Sequence, residues 1–190
     1  MPHISVLLPA CNAAPTLPAA LESLLDQRTS RLFEIVAVDD GSSDGTPHLL
    51  ADFARRDARL RPLRIAHAGL VGALNAGLAQ CRGRYVARMD ADDLSLPDRL
   101  EKQATHLDAH PDIGVVGSLV TFGGDPKRQA GYAHHVAWLN TLRTPRELSD
   151  WRFAEAPLAH PSVMFRRELP ERLGAYRDGP FPEDFELWLR

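Results

Sequence analysis

At 190 residues the chain is the size of one domain with an appendage, too short for two packed domains. Hydrophobic residues make up 44% and charged residues 25%, which excludes disordered, collagenous and disulfide-framework classes and implies a buried core. Lys+Arg 22 against Asp+Glu 25 gives a net charge of -3, so composition supplies no attraction for nucleic acid or for an anionic membrane.

Short apolar or β-branched runs bounded by turn residues read as buried strands: Ile4 to Pro9, Phe33 to Asp39, Leu63 to Ala66, Tyr85 to Asp90 and Ile113 to Ser118. Between them, apolar residues at three- and four-residue spacing predict helices: Leu17, Leu21, Leu24 and Leu25; Leu49, Leu50 and Phe53; Leu74 and Leu78; Leu100, Ala104 and Leu107. Strand and helix alternate, which predicts an α/β fold with a mostly parallel sheet flanked by helices and a ligand site at the carboxyl ends of its strands. From Thr121 to Pro157 the pattern breaks down, and this stretch reads as an insertion with a helix around Val136 to Leu142. Leu158 to Phe165 returns to the sheet, and Pro182 to Arg190 opens a last helix. The apolar run from Ile4 to Leu8 is too short for a signal peptide or a membrane span. Cys11 and Cys81, far apart in a chain that needs no staple, suit a reducing compartment. A cytoplasmic protein is expected, with peripheral attachment to the inner face of the membrane left open.

Three acidic segments carry the chemistry. Asp39 and Asp40 follow the second strand in Asp39-Asp40-Gly-Ser-Ser-Asp-Gly-Thr46; carboxylates there can accept hydrogen bonds from a nucleobase imide or a ribose hydroxyl, the alternative being a turn before an N-capped helix. Asp90 and Asp92, in Asp90-Ala-Asp-Asp93, have the spacing to converge on one hard cation that shares its shell with phosphate oxygens, the alternative being a solvated acidic turn. Pro182-Glu-Asp184 places a carboxylate where it can serve as a general base, although proline and acids also open helices without catalysis. His134 and His135 lack a supporting ligand set, His160 reads equally as a site or a structural histidine, and Trp138 and Trp151 read first as packing residues. Gly69, Gly72 and Gly77 do not form a dinucleotide fingerprint, and no Walker lysine loop exists.

In order, these segments resemble the family 2 glycosyltransferases, inverting enzymes of GT-A (Rossmann-like) fold that use nucleotide-diphospho-sugars. The likeness lies in Ser5-Val-Leu-Leu-Pro-Ala-Cys-Asn12, Leu24-Leu-Asp-Gln27, Glu34 through Thr46, Gly69 through Gly77, Tyr85 through Asp93, His110 through Gly117, His160 through Arg166 and Glu183 through Arg190. It covers nearly the whole chain except about Thr121 to Pro157. The resemblance implies one catalytic domain over 1–190, with 1–120 as its nucleotide-binding half and 121–190 as its acceptor side. It implies that Pro9, Ala10 and Asn12 lie along the nucleotide, that Asp39 and Asp40 hold base and ribose, and that Asp90 and Asp92 form the D-x-D pair. Asp92 is then the better metal ligand for Mg²⁺ or Mn²⁺, and Asp184 is the base.

The partners implied are a nucleotide-diphospho-sugar, UDP-linked by the family's habit, and a glycan or lipid-linked acceptor. Ala73-Leu74-Asn75 departs from the family's frequent Ala-Arg-Asn. The chain also stops inside the E-D helix, without the Q-x-x-R-W motif of processive synthases, so either transfer of a single sugar or a truncated domain is expected. A truncated domain would leave an apolar face for homodimerisation to cover. The competing readings are a non-catalytic nucleotide-sugar-binding remnant and a haloacid-dehalogenase-type phosphatase prompted by Asp90-Ala91-Asp92. The second is weakened by Leu94, where that family has Thr or Val.

Overall fold

The computed structural model describes all 190 residues. In chain order the elements are β1 (Ile4–Ala10), α1 (Leu17–Leu25), β2 (Phe33–Asp40), α2 (Thr46–Arg56), β3 (Leu60–Ile65), α3 (Gly69–Leu78), β4 (Tyr85–Arg88) and α4 (Arg99–Ala109). There follow β5 (Val115–Val116), α5 (Ala130–Leu139), α6 (Pro145–Trp151), a 3-10 turn at His160–Ser162, β6 (Met164–Arg166), α7 (Glu168–Leu173) and α8 (Glu183–Leu189). One six-stranded sheet runs in the order β3-β2-β1-β4-β6-β5. β1 pairs in parallel with β2 and with β4, and β2 in parallel with β3, so the carboxyl ends of β1, β2 and β4 finish side by side. The short β6 runs antiparallel to both β4 and β5. No helix is long and apolar enough to cross a membrane.

Side-chain alternation divides the core between the two faces of the sheet. Ile4, Val6 and Leu8 of β1, with Ile35 and Ala37 of β2, pack against Leu17, Leu21 and Leu24 of α1 and Leu100, Ala104 and Leu107 of α4. Leu7, Val36 and Val38 face the other way, onto Ala73 and Leu74 of α3 and onto Val163, Phe165 and Tyr176. Both clusters are buried, which is why β1 and β2 read as continuous apolar runs and not as alternating ones.

The strands and helices up to α4 fall where periodicity predicts them, with β3 beginning three residues earlier than its apolar run. Later segments differ. Of the expected Ile113–Ser118 strand only Val115–Val116 forms a ladder with β6; on either side single bonds continue the contact, the Gly114 carbonyl accepting the Arg166 N–H at 3.0 Å and the Ser118 N–H donating to the Ser162 carbonyl at 3.2 Å. The helix expected around Val136 to Leu142 spans Ala130–Leu139, and α6 is an additional helix opened by a capping box between Thr144 and Glu147. Trp138 and Trp151 stack edge-to-face 5.3 Å apart on these two helices, away from both core clusters.

Gln27, just past α1, ties this scaffold to the segment after Asp93. Its Nε2 donates to the carbonyl oxygens of Ser95 (3.3 Å) and Leu96 (2.8 Å), and its Oε1 accepts the Leu100 N–H at 3.1 Å. The side chain is buried, so truncation leaves polar backbone groups without partners. Gln27→Ala is expected to lower unfolding free energy by about 2 kcal/mol, read as a shift of the urea midpoint; an unchanged midpoint would contradict this role.

Candidate active site

Four segments end at the carboxyl edge of the sheet. The first, Cys11 to Ala14 after β1, is moulded onto the loop after β2 by hydrogen bonds. Asn12 donates its backbone N–H to Ser42 Oγ at 2.9 Å, and its Oδ1 accepts the Ser43 N–H at 2.9 Å. The Ala13 N–H reaches Thr46 Oγ1 at 2.8 Å and the Ala14 N–H reaches Asp44 Oδ2 at 3.1 Å. Asn12 holds a positive φ of 51°, a conformation asparagine tolerates better than most residues. At Gly41, φ is 67° and a Cβ would come within 2.8 Å of the His67 backbone nitrogen, so no other residue fits without movement.

Asp39 and Asp40 are both buried at the end of β2 and line different clefts. Asp40 shares a cleft of about 170 Å³ with Pro9, Ala10, Cys11, His67 and Asp90. Its Oδ1 accepts the Ala68 N–H at 2.7 Å and its Oδ2 lies 2.9 Å from His67 Nδ1. Asp39 lines a cleft of about 280 Å³ with His48, Pro62 and Arg64. Its Oδ1 accepts the Ser42 N–H at 3.0 Å; its buried Oδ2 makes no hydrogen bond and has only the Arg64 guanidinium, 3.3 Å away, as counter-charge. The structure thus brings Pro9, Ala10, Asp40 and Asp90 together, and sets Asp39 and Asn12 to the side.

Beyond β4, the carboxylates of Asp90, Asp92 and Asp93 lie with oxygen atoms within 4.8 Å of one another. Burial, and then the charges of Asp90 and Asp92, push the Asp93 carboxyl above its usual range. A divalent cation relieves that repulsion, and an all-oxygen donor set suits Mg²⁺ or Mn²⁺, so these residues fit the expected metal. Asp92 is exposed and unpaired, whereas Asp90 is ion-paired with Arg88.

Arg88 was not singled out by sequence reasoning, and it is the least expected member of the site. Its side chain is 2% exposed; Nη1 meets the Asp90 carboxylate, and Nε has no hydrogen-bond partner. Its backbone is fixed on both sides: the N–H donates to the Val163 carbonyl at 2.9 Å, and the carbonyl accepts Arg99 Nη2 at 2.6 Å. The only sequence signal was an arginine inside the buried run Tyr85 to Met89, a position where charge is uncommon.

A second set, in which the contacts of Asn75 and Tyr176 had no sequence signal, joins α3 through His160 to the last helix. Asn75 donates Nδ2 to the Tyr176 carbonyl at 2.9 Å and accepts the Tyr176 N–H at 3.0 Å. The Tyr176 hydroxyl is 3.0 Å from His160 Nε2, and His160 Nδ1 is 3.4 Å from Glu183 Oε1. Burial holds the His160 pKa below its ordinary value even though Glu183 acts to raise it, and the His160 contact lowers that of Glu183. The ring is therefore neutral at pH 7, with the tautomer assigned from its neighbours: Nδ1–H faces Glu183 and Nε2 accepts from Tyr176. Of the three carboxylates on α8, Glu183 meets His160 and Glu186 meets Arg177 and Arg190. Asp184 has no counter-ion; its Oδ1 accepts only the neighbouring Phe185 N–H at 2.8 Å. His134 and His135 lie on α5 and join no metal-binding group.

The sequence is similar to known proteins over most of its length. It matches the profile of Glycosyl transferase family 2 over residues 5–174. The chain belongs to this family. It is 36% identical over 181 residues to the amylovoran biosynthesis glycosyltransferase AmsE of Erwinia amylovora, an alignment covering 92% of the chain and 63% of AmsE. It is 31% identical to the putative glycosyltransferase EpsE of Bacillus subtilis, covering 100% of the chain and 66% of that relative. Among solved structures, the mannosyltransferase PcManGT from Pyrobaculum calidifontis, in complex with GDP-Man and Mn²⁺, superposes with a TM-score of 0.72 at 28% identity. That match covers 98% of the chain and 50% of the mannosyltransferase. S. aureus TarS, in complex with UDP, superposes at 0.65 with 22% identity, covering 92% of the chain and 50% of that structure, and supports the GT-A fold alone. The chain therefore spans about two thirds of these curated relatives and half of these solved chains.

A buried neutral histidine makes stability depend on pH in a defined direction. In the unfolded chain His160 takes up a proton as pH falls through about 6.5, while the folded ring resists until its lower pKa, so stability is full above that range and is lost below it. His3, also lowered by burial and then by Arg31, adds to the same slope. The melting temperature is expected to fall between pH 7 and 5, and His160→Gln to flatten part of that fall; an unaltered slope would contradict a buried neutral His160.

Proposed function

We propose that the chain is the catalytic core of an inverting, metal-dependent glycosyltransferase, moving one sugar from a nucleotide-diphospho-sugar to a hydroxyl of a glycan or lipid-linked acceptor. The observation that carries this reading is a pair of acidic sites: the Asp40–Asp90 cleft at the carboxyl edge of the sheet, with Asp92 and Asp93 beside it, and the unpaired Asp184 on α8. Substitution at an anomeric carbon needs charge compensation for a departing diphosphate and a base for the incoming hydroxyl, on different sides of the sugar. Family membership and the GDP-Man and Mn²⁺ of the mannosyltransferase neighbour support the same division.

In this reading Pro9, Ala10 and Asn12 lie along the nucleotide, Asp40 accepts hydrogen bonds from ribose hydroxyls, and Asp39 serves the base. Asp92, with Asp90 beside it, would hold the cation, which when bound stabilises negative charge on the diphosphate oxygens. Asp184 takes the proton of the acceptor hydroxyl as that oxygen attacks the anomeric carbon, and one displacement inverts the centre. His160 and Glu183 are positioning residues: their contact fixes the first turn of α8 and with it the direction of Asp184. A cytoplasmic location at the inner face of the membrane suits a lipid-linked acceptor, and UDP remains the favoured donor nucleotide.

Two experiments test this. A thermal-shift panel of uridine and guanosine diphosphates, with and without Mn²⁺, is expected to show stabilisation by one nucleotide that requires the metal and disappears in Asp92→Ala. No shift with either nucleotide would contradict a donor site in this chain. With the donor identified, Asp184→Asn is expected to leave its binding intact and reduce kcat by about 10²-fold or more; turnover at the wild-type rate would exclude Asp184 as base.

A further inference from the structure

Cys11, Asp40 and His67 come from three separate segments, the end of β1, the end of β2 and the turn after β3, and meet at the wall of the cleft that also holds Asp90. The Cys11 sulfur is 4.0 Å from His67 Nδ1, Asp40 Oδ2 is 2.9 Å from the same nitrogen, and one donor atom from each of the three lies within 4.8 Å of the others. Cys11 and His67 are exposed, so the cluster is open to solvent, while Asp40 is fixed by the Ala68 N–H. Cysteine, aspartate and histidine at such distances allow two kinds of chemistry. A nucleophilic triad needs the acid and the thiol on opposite nitrogens of the ring, so that the imidazole can pass a proton between them. Here both groups face Nδ1, and His67 cannot act as that relay.

Three side chains that each bring one donor atom to within 4.8 Å of the other two instead suit a ligand set around a common centre. Tetrahedral zinc with bonds of about 2.3 Å to sulfur and about 2.0–2.2 Å to nitrogen and oxygen sets its ligand atoms roughly 3.3–3.6 Å apart. The observed separations bracket that spacing, and adjustments of about 1 Å by the two exposed side chains reach it. We propose that Cys11, Asp40 and His67 form a zinc site of three protein ligands, distinct in chemistry from the oxygen-only Asp90–Asp92–Asp93 cluster. Cys11 binds as thiolate, its proton leaving to solvent, and His67 binds through Nδ1 as the neutral Nε2–H tautomer. Thiolate and imidazole ligands select Zn²⁺ over Mg²⁺ and Mn²⁺. The fourth position opens to the cleft, where water completes the shell. Resting on the function proposed above, occupation of this site withdraws Asp40 from the ribose hydroxyls, so zinc excludes the donor nucleotide.

The test is a Co²⁺ titration of the full chain followed by absorption, since cobalt in place of zinc shows a thiolate-to-metal charge-transfer band in the near ultraviolet. A band that saturates at one equivalent is expected, bleached by Zn²⁺ but not by Mg²⁺, absent in Cys11→Ser and weakened at least tenfold in affinity in His67→Ala. Cobalt at the aspartate cluster gives no such band, and Cys81 is buried with its thiol pushed up to about 12, so the signal reports Cys11. Cys11 is exposed and serine is nearly isosteric, and a melting curve of each variant serves as the control for folding. No band in the wild type, or a band that survives Cys11→Ser, overturns the site. Added uridine or guanosine diphosphate should compete the cobalt away. If the nucleotide binds by thermal shift while the band is untouched, the exclusion of donor by metal is wrong. If neither nucleotide binds and the band is present, the donor assignment fails and the zinc site stands.

Discussion

A buried guanidinium is a demanding object, and the arrangement of this carboxyl edge is organised around one. Arg88 ends β4 inside the protein, where an uncompensated charge costs several kcal/mol. Asp90 is the one carboxylate paired with it, two residues further along the same segment. The charge of Arg88 also reaches His160, Tyr176 and Glu183: it adds to the burial that lowers the His160 pKa and to the His160 contact that lowers that of Glu183, and it opposes the burial that raises that of Tyr176. It thus lies between the aspartates after β4 and the first turn of α8. Its own backbone is held by Val163 on one side and Arg99 on the other, so β4, α4 and the approach to β6 meet at this residue. Arg99 pays for its place with a pKa brought down to about 10 by burial.

Around that charge the two proposed halves of the site are linked by short polar contacts. On one side Asp40, Pro9, Ala10 and Asp90 share a cleft formed because β1 pairs in parallel with both β2 and β4. On the other, Asn75 clamps the backbone of Tyr176, Tyr176 meets His160, and His160 meets Glu183 at the start of α8. Asn75 belongs to α3, whose Ala73 and Leu74 pack on Leu7 and Val38 of the central strands. A displacement of α8 is therefore resisted by the same sheet that supports the nucleotide side. This gives a physical reason for the difference between the three α8 acids: Glu183 and Glu186 hold the helix in place, and Asp184 is left unpaired.

The first hundred residues were legible because each element carries its own pattern. β1 and β2 are continuous apolar runs with a turn behind them, and α1 and α4 have apolar residues at helical spacing over about three turns. The region after Thr121 was less legible for a physical reason. α5 and α6 together contribute one buried residue, Leu139, so little apolar periodicity marks their limits. Val115–Val116 and Met164–Arg166 are shorter than any reliable alternation, and their pairing is set by partners distant in sequence. Among site residues, Asp40, Asp90 and Asp92 announced themselves as clustered acids after strands. Arg88, Asn75 and Tyr176 did not, because their roles depend on contacts as much as 101 residues apart, and Glu183, visible as an acid opening a helix, gave no sign of its contact with His160. The separate clefts of Asp39 and Asp40 were also hidden: adjacent carboxylates on a strand project to opposite faces, and a loop reading treats them as a pair.

The claim that Arg88 and Asp90 act as one unit is most directly tested by a double-mutant cycle on unfolding free energy, using Arg88→Met, Asp90→Asn and the combined variant. The pairing predicts a coupling of about 1–3 kcal/mol between the two positions, with the double variant recovering part of what Arg88→Met or Asp90→Asn loses alone. Effects that add to within about 0.5 kcal/mol would contradict it and leave the buried guanidinium without its counter-ion.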